Sequence, residues 1–509
     1  MLSKVKSFAL DGLIGYPIDV EIDINSGLPS FEMVGLASTA TKESKERIRS
    51  AVKNSGFLYP TKRITINLAP ADTKKEGPSF DLAIAVALLT ASGQIESSNY
   101  KDFVFLGELS LDGSLRHING VMPIIISAMQ AGFKNFVLPV DNAKEASYIE
   151  GIEAYAFQNL KEVAEFLSGT PTERIIENSF EASCGAHGYG VDFQDVKGQS
   201  TAKRALEIAV SGGHNVIMIG PPGAGKTMLA KCVPTIMPEM TFDEAIEVTK
   251  VHSIAGVLDD SVGIVTTRPF RSPHHTTTVP ALIGGGNKAK PGEVSLANHG
   301  VLFLDEMPEY GRYALESLRQ PLEDRVVSVV RIMRSVEYPA NFMLVASMNP
   351  CPCGNYGSKT QVCRCSAQQI HNYLSKLSGP LLDRIDLQIE VDSVSYDEFR
   401  TPREEESSAT IKLRTDRARE IQRNRYKDEG ILTNAEMNDK QLKKYCKIDA
   451  DGERLLQKAF ERLNLSARGT TRILKVARTI ADLDGSENIK NTHLAEAIQY
   501  RQLDRKYNG

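Results

Sequence analysis

The stretch NVIMIGPPGAGKTMLAK, Asn215 to Lys231, decides how the rest of the chain is read. Asn215–Ile219 is apolar enough for a buried strand, and Met228–Lys231 opens a helix pattern. Between them stands G-x-x-x-x-G-K-T: Gly220, Pro221, Pro222, Gly223, Ala224, Gly225, Lys226 and Thr227. Glycines let backbone N–H groups turn inward toward phosphate oxygens, where a Cβ would obstruct them. The helix N-terminus adds partial positive charge. Lys226 is expected to reach the β- and γ-phosphates and the Thr227 hydroxyl to ligate Mg²⁺. Such a pattern recurs by chance in roughly a few per cent of chains this long, and the strand and helix flanks reduce that further.

Downstream, Val301-Leu302-Phe303-Leu304 predicts a second buried strand, ending in Asp305 and Glu306. About 80 residues beyond a phosphate loop, Asp305 is expected to hold Mg²⁺, and Glu306 to polarise the attacking water. A third strand, Phe342–Met348, delivers Asn349 to orient that water. Arg384 precedes a fourth strand, Leu387–Val391, and Arg468 opens a late helix. A surface arginine is usually a solvated charge. Phosphoryl transfer, however, wants a cation on the γ-phosphate, typically supplied across a subunit boundary.

The chain has 509 residues, too many for one domain. Residues 1–167 alternate strand and helix signals. Ile18–Ile24 alternates apolar and acidic residues, Thr41–Ser55 and Asp81–Ala91 predict helices, and Arg63–Leu68 another strand. Residues 168–190, rich in Ser, Gly and Glu, predict a linker. Residues 191–393 are the α/β core, whose apolar runs suit a parallel sheet covered on both faces. Residues 394–509 are helical and mildly basic. A net charge of -4 means that any nucleic-acid contact must come from a local basic surface. The longest apolar run, Leu82–Ala91, is too short to span a membrane. No signal peptide is apparent, and the seven cysteines do not look like a secreted disulfide framework, so a cytoplasmic protein is expected.

GPPGAGKT, VLFLDE, ASMNP, LSGPLLDRID and the late SAR…RILKVARTIAD together resemble the magnesium-chelatase-like AAA+ ATPases, in particular the YifB/ComM group. RPFRSPHHT (Arg268–Thr276) and PGEVSLANHGVLFLDE (Pro291–Glu306) are further signatures of that group. The resemblance implies a Lon-protease-like N-terminal domain, an AAA+ core with ATP and Mg²⁺ as cofactors, and a C-terminal helical lid. It makes Asn349 the sensor-1 residue, Arg384 the arginine finger acting on a neighbour's ATP, and Arg468 the sensor-2 arginine. It implies a homo-hexamer acting on DNA, a helicase for branch migration in recombination or natural transformation, with recombination proteins as partners. One departure stands out: Gly469-Thr470-Thr471 follows Arg468, where bulkier residues are expected.

In the N-terminal domain, Gly77-Pro78-Ser79 is similar to the stretch holding the nucleophile of Lon, and Gly107–Gly113 to the segment leading to its lysine. Aligning Ile118-Asn119-Gly120 puts Ile124 where that lysine belongs. Ile124 cannot accept a proton, which argues against a protease and for a scaffold. A metal-chelatase motor subunit shares every nucleotide motif and is the main alternative.

Weaker signals remain. Cys351, Cys353, Cys363 and Cys365 form C-x-C…C-x-C, either a structural Zn²⁺ site or reduced thiols in a loop. His274 and His275 either touch nucleic acid or satisfy backbone groups. Gly284–Lys290 and the hairpin expected over Val326–Tyr338, with Arg331 and Arg334, are candidate DNA-tracking elements.

Overall fold

A computed structural model of the chain describes residues 2–35, 39–71, 77–95, 99–183, 189–259, 261–286, 289–331, 334–357, 361–393, 405–463 and 465–501. Two units emerge: residues 1–184 with 242–266, and residues 185–241 with 267–509.

In the first unit, the apolar–acidic alternation of Ile18–Ile24 becomes part of β2 (Ile14–Asn25), which buries Ile18, Val20, Ile22 and Ile24 on one face. β2 pairs antiparallel with β1 (Leu2–Asp11) and with β4 (Arg63–Ala69), and β3 (Ser30–Val34) adds to β4 in parallel. On the far side of β1 lies β5 (Phe103–Phe105), followed by a small hairpin of β6 (Glu108–Leu109) and β7 (Leu115–Arg116). Parallel strands β8 (Asn135–Pro139) and β9 (Glu153–Phe157) complete the order β3-β4-β2-β1-β5-β8-β9. The helix Asp81–Ala91 is apolar all round because it is buried all round: Leu82 to Leu89 have no exposed surface.

A helix from far along the chain, Phe242–Ala255, folds with this unit. Its Ile246 packs against the core around Phe8, Val121 and Ile125. Its Ser253 hydroxyl accepts the Gly120 N–H at 2.9 Å and donates to Glu145 at 2.6 Å.

The second unit is built on five parallel strands. β10 (Val216–Ile219) lies between β17 (Met343–Met348) and β18 (Leu387–Glu390), and β14 (Val301–Leu304) flanks β17, followed by β11 (Phe270–Arg271). The order is therefore β11-β14-β17-β10-β18. Val216, Met218, Val301, Phe303 and Val345 enter one continuous core with the helices Ser200–Gly212 and Lys226–Ile236. That core runs on into the C-terminal helices. Ile473, Val476, Ala477 and Ile480 of the helix Ala467–Leu483 join it, as do Ile411 of Ser408–Arg425 and Leu494 of Asn491–Gln499. Two short ribbons complete the unit: β12 (Gly284–Gly285) with β13 (Lys290–Pro291), and β15 (Val326–Arg331) with β16 (Arg334–Pro339). Asn287, Lys288, Ile332 and Met333, in the loops between those strands, lie outside the described residues.

Candidate nucleotide site

β10 runs into residues 220–225 and the helix Lys226–Ile236 leads out of them, so the loop is held at both ends. Gly223 and Gly225 have φ of +79° and +87° and open space where a Cβ would stand. Gly220 is glycine for a different reason: a Cβ there would lie 2.1 Å from the Val391 carbonyl oxygen just past β18. Its N–H donates to Met348 O at 3.2 Å, so the loop is tied to both neighbours of β10.

Lys226 is buried and folds its ammonium inward, onto Gly220 O at 2.7 Å, Pro221 O at 2.9 Å and Asn349 Oδ1 at 3.2 Å. Burial lowers its pKa, against the opposing pull of Asp305 and Glu306. A desolvated cation beside two open left-handed glycines at a helix N-terminus suits a polyphosphate. Thr227 Oγ1 donates to Asp305 Oδ2 at 3.0 Å. A hydroxyl touching a carboxylate, both oxygen donors, suits a hard divalent cation.

The sheet order explains how these groups meet. β17 is inserted between β10 and β14, so Asn349 at its end lies between the lysine from one strand and the acids from the other. Ser347, which sequence reasoning missed, braces the acids: its hydroxyl donates to Asp305 Oδ1 and accepts the Glu306 N–H at 3.1 Å. The only clue was a lone polar residue within the apolar run Phe342–Met348. Glu306 is exposed with φ of +51°, a conformation uncommon outside glycine and typical of strained functional turns.

Arg384 and Arg468 form a second cluster, organised by Glu323, another residue the sequence did not single out. The buried Arg384 donates to Pro380 O at 2.7 Å and to the Glu323 carboxylate. Exposed Arg468 reaches Glu323 Oε1 at 3.4 Å. Burial would raise the Glu323 carboxyl, but Arg384 and Arg468 hold it below its ordinary value. Gly469, buried in the first turn after Arg468, gives its N–H to Ser466 Oγ at 3.0 Å as part of the helix cap.

The four cysteines converge. Their sulfurs lie within 4.8 Å of one another, with Cys351 3.4 Å from Cys353 and 3.7 Å from Cys363. The Arg364 and Asn355 N–H groups draw the Cys353 thiol down to about 6, whereas burial pushes that of Cys365 up to about 12.

The remaining signals read more plainly. Arg268 is spent on backbone carbonyls of Pro238, Glu239 and His299, and Arg271 clasps Glu293 at 2.6 and 2.8 Å. The His274 and His275 rings lie 4.1 Å apart with their planes tilted by 35°, and the former contacts Thr276 at 2.9 Å. In the first unit Ile124 is buried in an apolar core, and Ser79 gives its carbonyl to Gly107 N–H in a turn.

Three family models match the chain. "Magnesium chelatase, subunit ChlI" covers residues 192–399, "Subunit ChlI of Mg-chelatase" 20–142, and "Magnesium chelatase, subunit ChlI C-terminal" 405–501. Competence protein ComM of Haemophilus influenzae is 43% identical, over 99% of this chain and 98% of its own. YifB of Escherichia coli is 42% identical, with the same coverage. Lon protease 2 of Bacillus subtilis is similar over a limited region, 31% identical across 29% of this chain and 28% of its own. The fold is accordingly a Lon-like α/β domain, an AAA+ core with a parallel sheet and a helical C-terminal region. Among the described residues no helix is long and apolar enough to cross a membrane. Near-complete coverage at this identity, together with a phosphate loop and paired acids on the expected strands, establishes that the chain belongs to the YifB/ComM-type, magnesium-chelatase-like AAA+ ATPases.

Proposed function

We propose that the chain is an ATP-driven motor that remodels branched or duplex DNA as a ring of identical subunits, hexameric as the family resemblance implies. In this reading the N–H groups of residues 220–225 and the Lys226 ammonium hold the phosphates, while Thr227 and Asp305 hold Mg²⁺. ATP with Mg²⁺ supplies a phosphoryl group whose transfer to water releases energy. The Glu306 carboxylate takes up the proton of the attacking water, and Asn349, steadied by Lys226, orients that water. The Lon-like domain acts as a scaffold, since Ile124 stands where the base of the Lon site belongs and cannot accept a proton.

The observation that carries the reading is the partition of charge. Lys226, Thr227, Asp305 and Asn349 bond within one cluster, while Arg384 and Arg468 converge on Glu323. A site that needs an arginine for transition-state charge, on a chain whose candidate arginines are gathered elsewhere, is suited to completion by a neighbouring subunit. The DNA role draws on the resemblance and on the name of the Haemophilus influenzae relative, which ties that protein to competence.

The test is ATPase and strand-displacement activity of wild type and Lys226→Ala on forked, three-stranded and four-way DNA, over a range of protein concentration. DNA-stimulated turnover that rises cooperatively with concentration is expected. The family models carry chelatase names, so the second reading is a metal-chelatase motor subunit. Indifference to DNA, with dependence on a porphyrin-binding partner, would establish that reading instead.

A further inference from the structure

Directly after Asn349 the chain enters the loop that carries all four clustered cysteines. Sulfur–sulfur separations of 3.4, 3.6 and 3.7 Å among Cys351, Cys353 and Cys363 are far beyond a disulfide bond of about 2.05 Å. They match the edge of a tetrahedron around one ion with metal–sulfur bonds of about 2.3 Å, roughly 3.8 Å. The fourth sulfur, on Cys365, lies within 4.8 Å of each of the other three. One backbone N–H is aimed at these sulfurs: that of Tyr356 donates to Cys351 at 3.3 Å. Four soft donors gathered at these separations suit Zn²⁺ and leave no open coordination position.

The same loop touches the phosphate cradle. Gly354 lies between Cys353 and Asn355 with φ of +80°, and a Cβ there would fall 2.5 Å from Pro222 Cδ. The loop backbone therefore rests against the proline in the middle of residues 220–225. On its other flank, the Tyr373 hydroxyl of the helix Ala367–Leu374 lies near the Asn349 backbone. Pro222 on one side and Asn349 on the other bracket the candidate phosphate position.

We propose that Cys351, Cys353, Cys363 and Cys365 bind one structural Zn²⁺, and that this metal-locked turn braces Pro222 and Asn349 so that the phosphate loop is preformed. Each ligating thiol releases its proton to solvent, and four thiolates around Zn²⁺ carry net negative charge. Arg364, placed between two of the ligands, partly offsets it. The second half of the proposal rests on the nucleotide-binding reading, whereas the first half stands without it.

The experiment therefore separates the two. Zinc content of the full-length protein, purified under reducing conditions, is measured by elemental analysis, together with uptake of Co²⁺ by metal-stripped protein, read from its thiolate-to-cobalt absorption band. About one zinc per chain is expected, with loss in the Cys363→Ser/Cys365→Ser double variant. Zinc-free protein that also ignores Co²⁺, or a double variant that keeps its zinc, overturns the metal site. Binding of a fluorescent ATP analogue is then compared between zinc-loaded and stripped wild type of matched circular dichroism, and in Gly354→Ala, which keeps every ligand. The brace predicts several-fold weaker binding after stripping, and in Gly354→Ala weaker binding at full zinc occupancy. Unchanged affinity in both overturns the brace. If fully zinc-loaded wild type also fails to bind nucleotide, the ATP reading fails and the metal site stands.

Discussion

The Glu323 carboxylate accepts the Arg384 guanidinium and also takes Arg468, so one exposed acid holds two cations of different burial. If Arg384 completes a neighbour's site, Glu323 sets where its guanidinium points. Arg384→Ala is expected to lower kcat by about 10³-fold with nucleotide affinity unchanged. Glu323→Ala is expected to lower kcat by a smaller factor, because the arginine persists but loses its orientation. Steady-state ATPase assays with nucleotide titrations separate the two effects.

Within the cradle, Lys226 and Glu306 are expected to fail in different ways. Lys226→Ala removes a desolvated cation and should weaken nucleotide binding by about 10²-fold, roughly 2.7 kcal/mol. Glu306→Gln keeps the shape of the turn and should bind nucleotide normally while slowing hydrolysis by about 10³-fold. Equilibrium binding and single-turnover hydrolysis, run side by side, check both.

Gly220→Ala tests the backbone fit. The Cβ would meet a carbonyl oxygen, which no rotamer change can relieve. A destabilisation of about 2 kcal/mol is expected, with loss of nucleotide binding, by chemical denaturation and titration.

Asp386 gives a prediction about acid. It is buried, takes the Asn215 N–H at 3.1 Å, and faces Arg472 and His214. Burial alone would raise its carboxyl, but Arg472 and His214 hold it far below the ordinary carboxylate range. A depressed folded-state value adds stability that is complete above the unfolded value of about 3.9 and is lost as pH falls through the folded one. Asp386→Asn should therefore cost about 3 kcal/mol at neutral pH. The gap to wild type should narrow only below about pH 4, as denaturation curves across pH will show.

In the Lon-like unit the buried Asp81 carboxylate is met by Arg47 Nε at 2.8 Å. Arg47→Ala leaves that acid without its cation and should destabilise the unit by about 3 kcal/mol. Ser79→Ala should change neither stability nor ATPase rate, and casein should survive incubation with the wild type. Casein degradation that vanishes in Ser79→Ala would restore the protease reading.

Most of the core was legible because its signals are local. Val216–Ile219, Val301–Leu304 and Met343–Met348 are short apolar runs with turn chemistry or acids at their ends, and they are the strands of the sheet. The expected hairpin over Val326–Tyr338 is the β15–β16 ribbon. The acidic alternation of Ile18–Ile24 fixed the buried face of β2 for the same reason. What escaped were relationships between residues distant in sequence. Glu323 looks like any helix-end acid until Arg384, 61 residues later, folds onto it. Ser347 looks like an interruption in a strand until Asp305 is beside it. Spacing brought the cysteines into one segment, but only the turn at Gly354 shows that the segment leans on Pro222.

The helix Phe242–Ala255 has a practical consequence. Because it folds with the N-terminal residues, the polypeptide passes between its two units three times. Cutting at the stretch around residue 185 is not expected to release a self-sufficient ATPase core. The C-terminal fragment would retain an orphaned helix whose Ile246 and Ser253 have lost their companions, an invitation to aggregation. A clean excision requires residues 242–266 to go with the N-terminal half and residue 241 to be rejoined to 267.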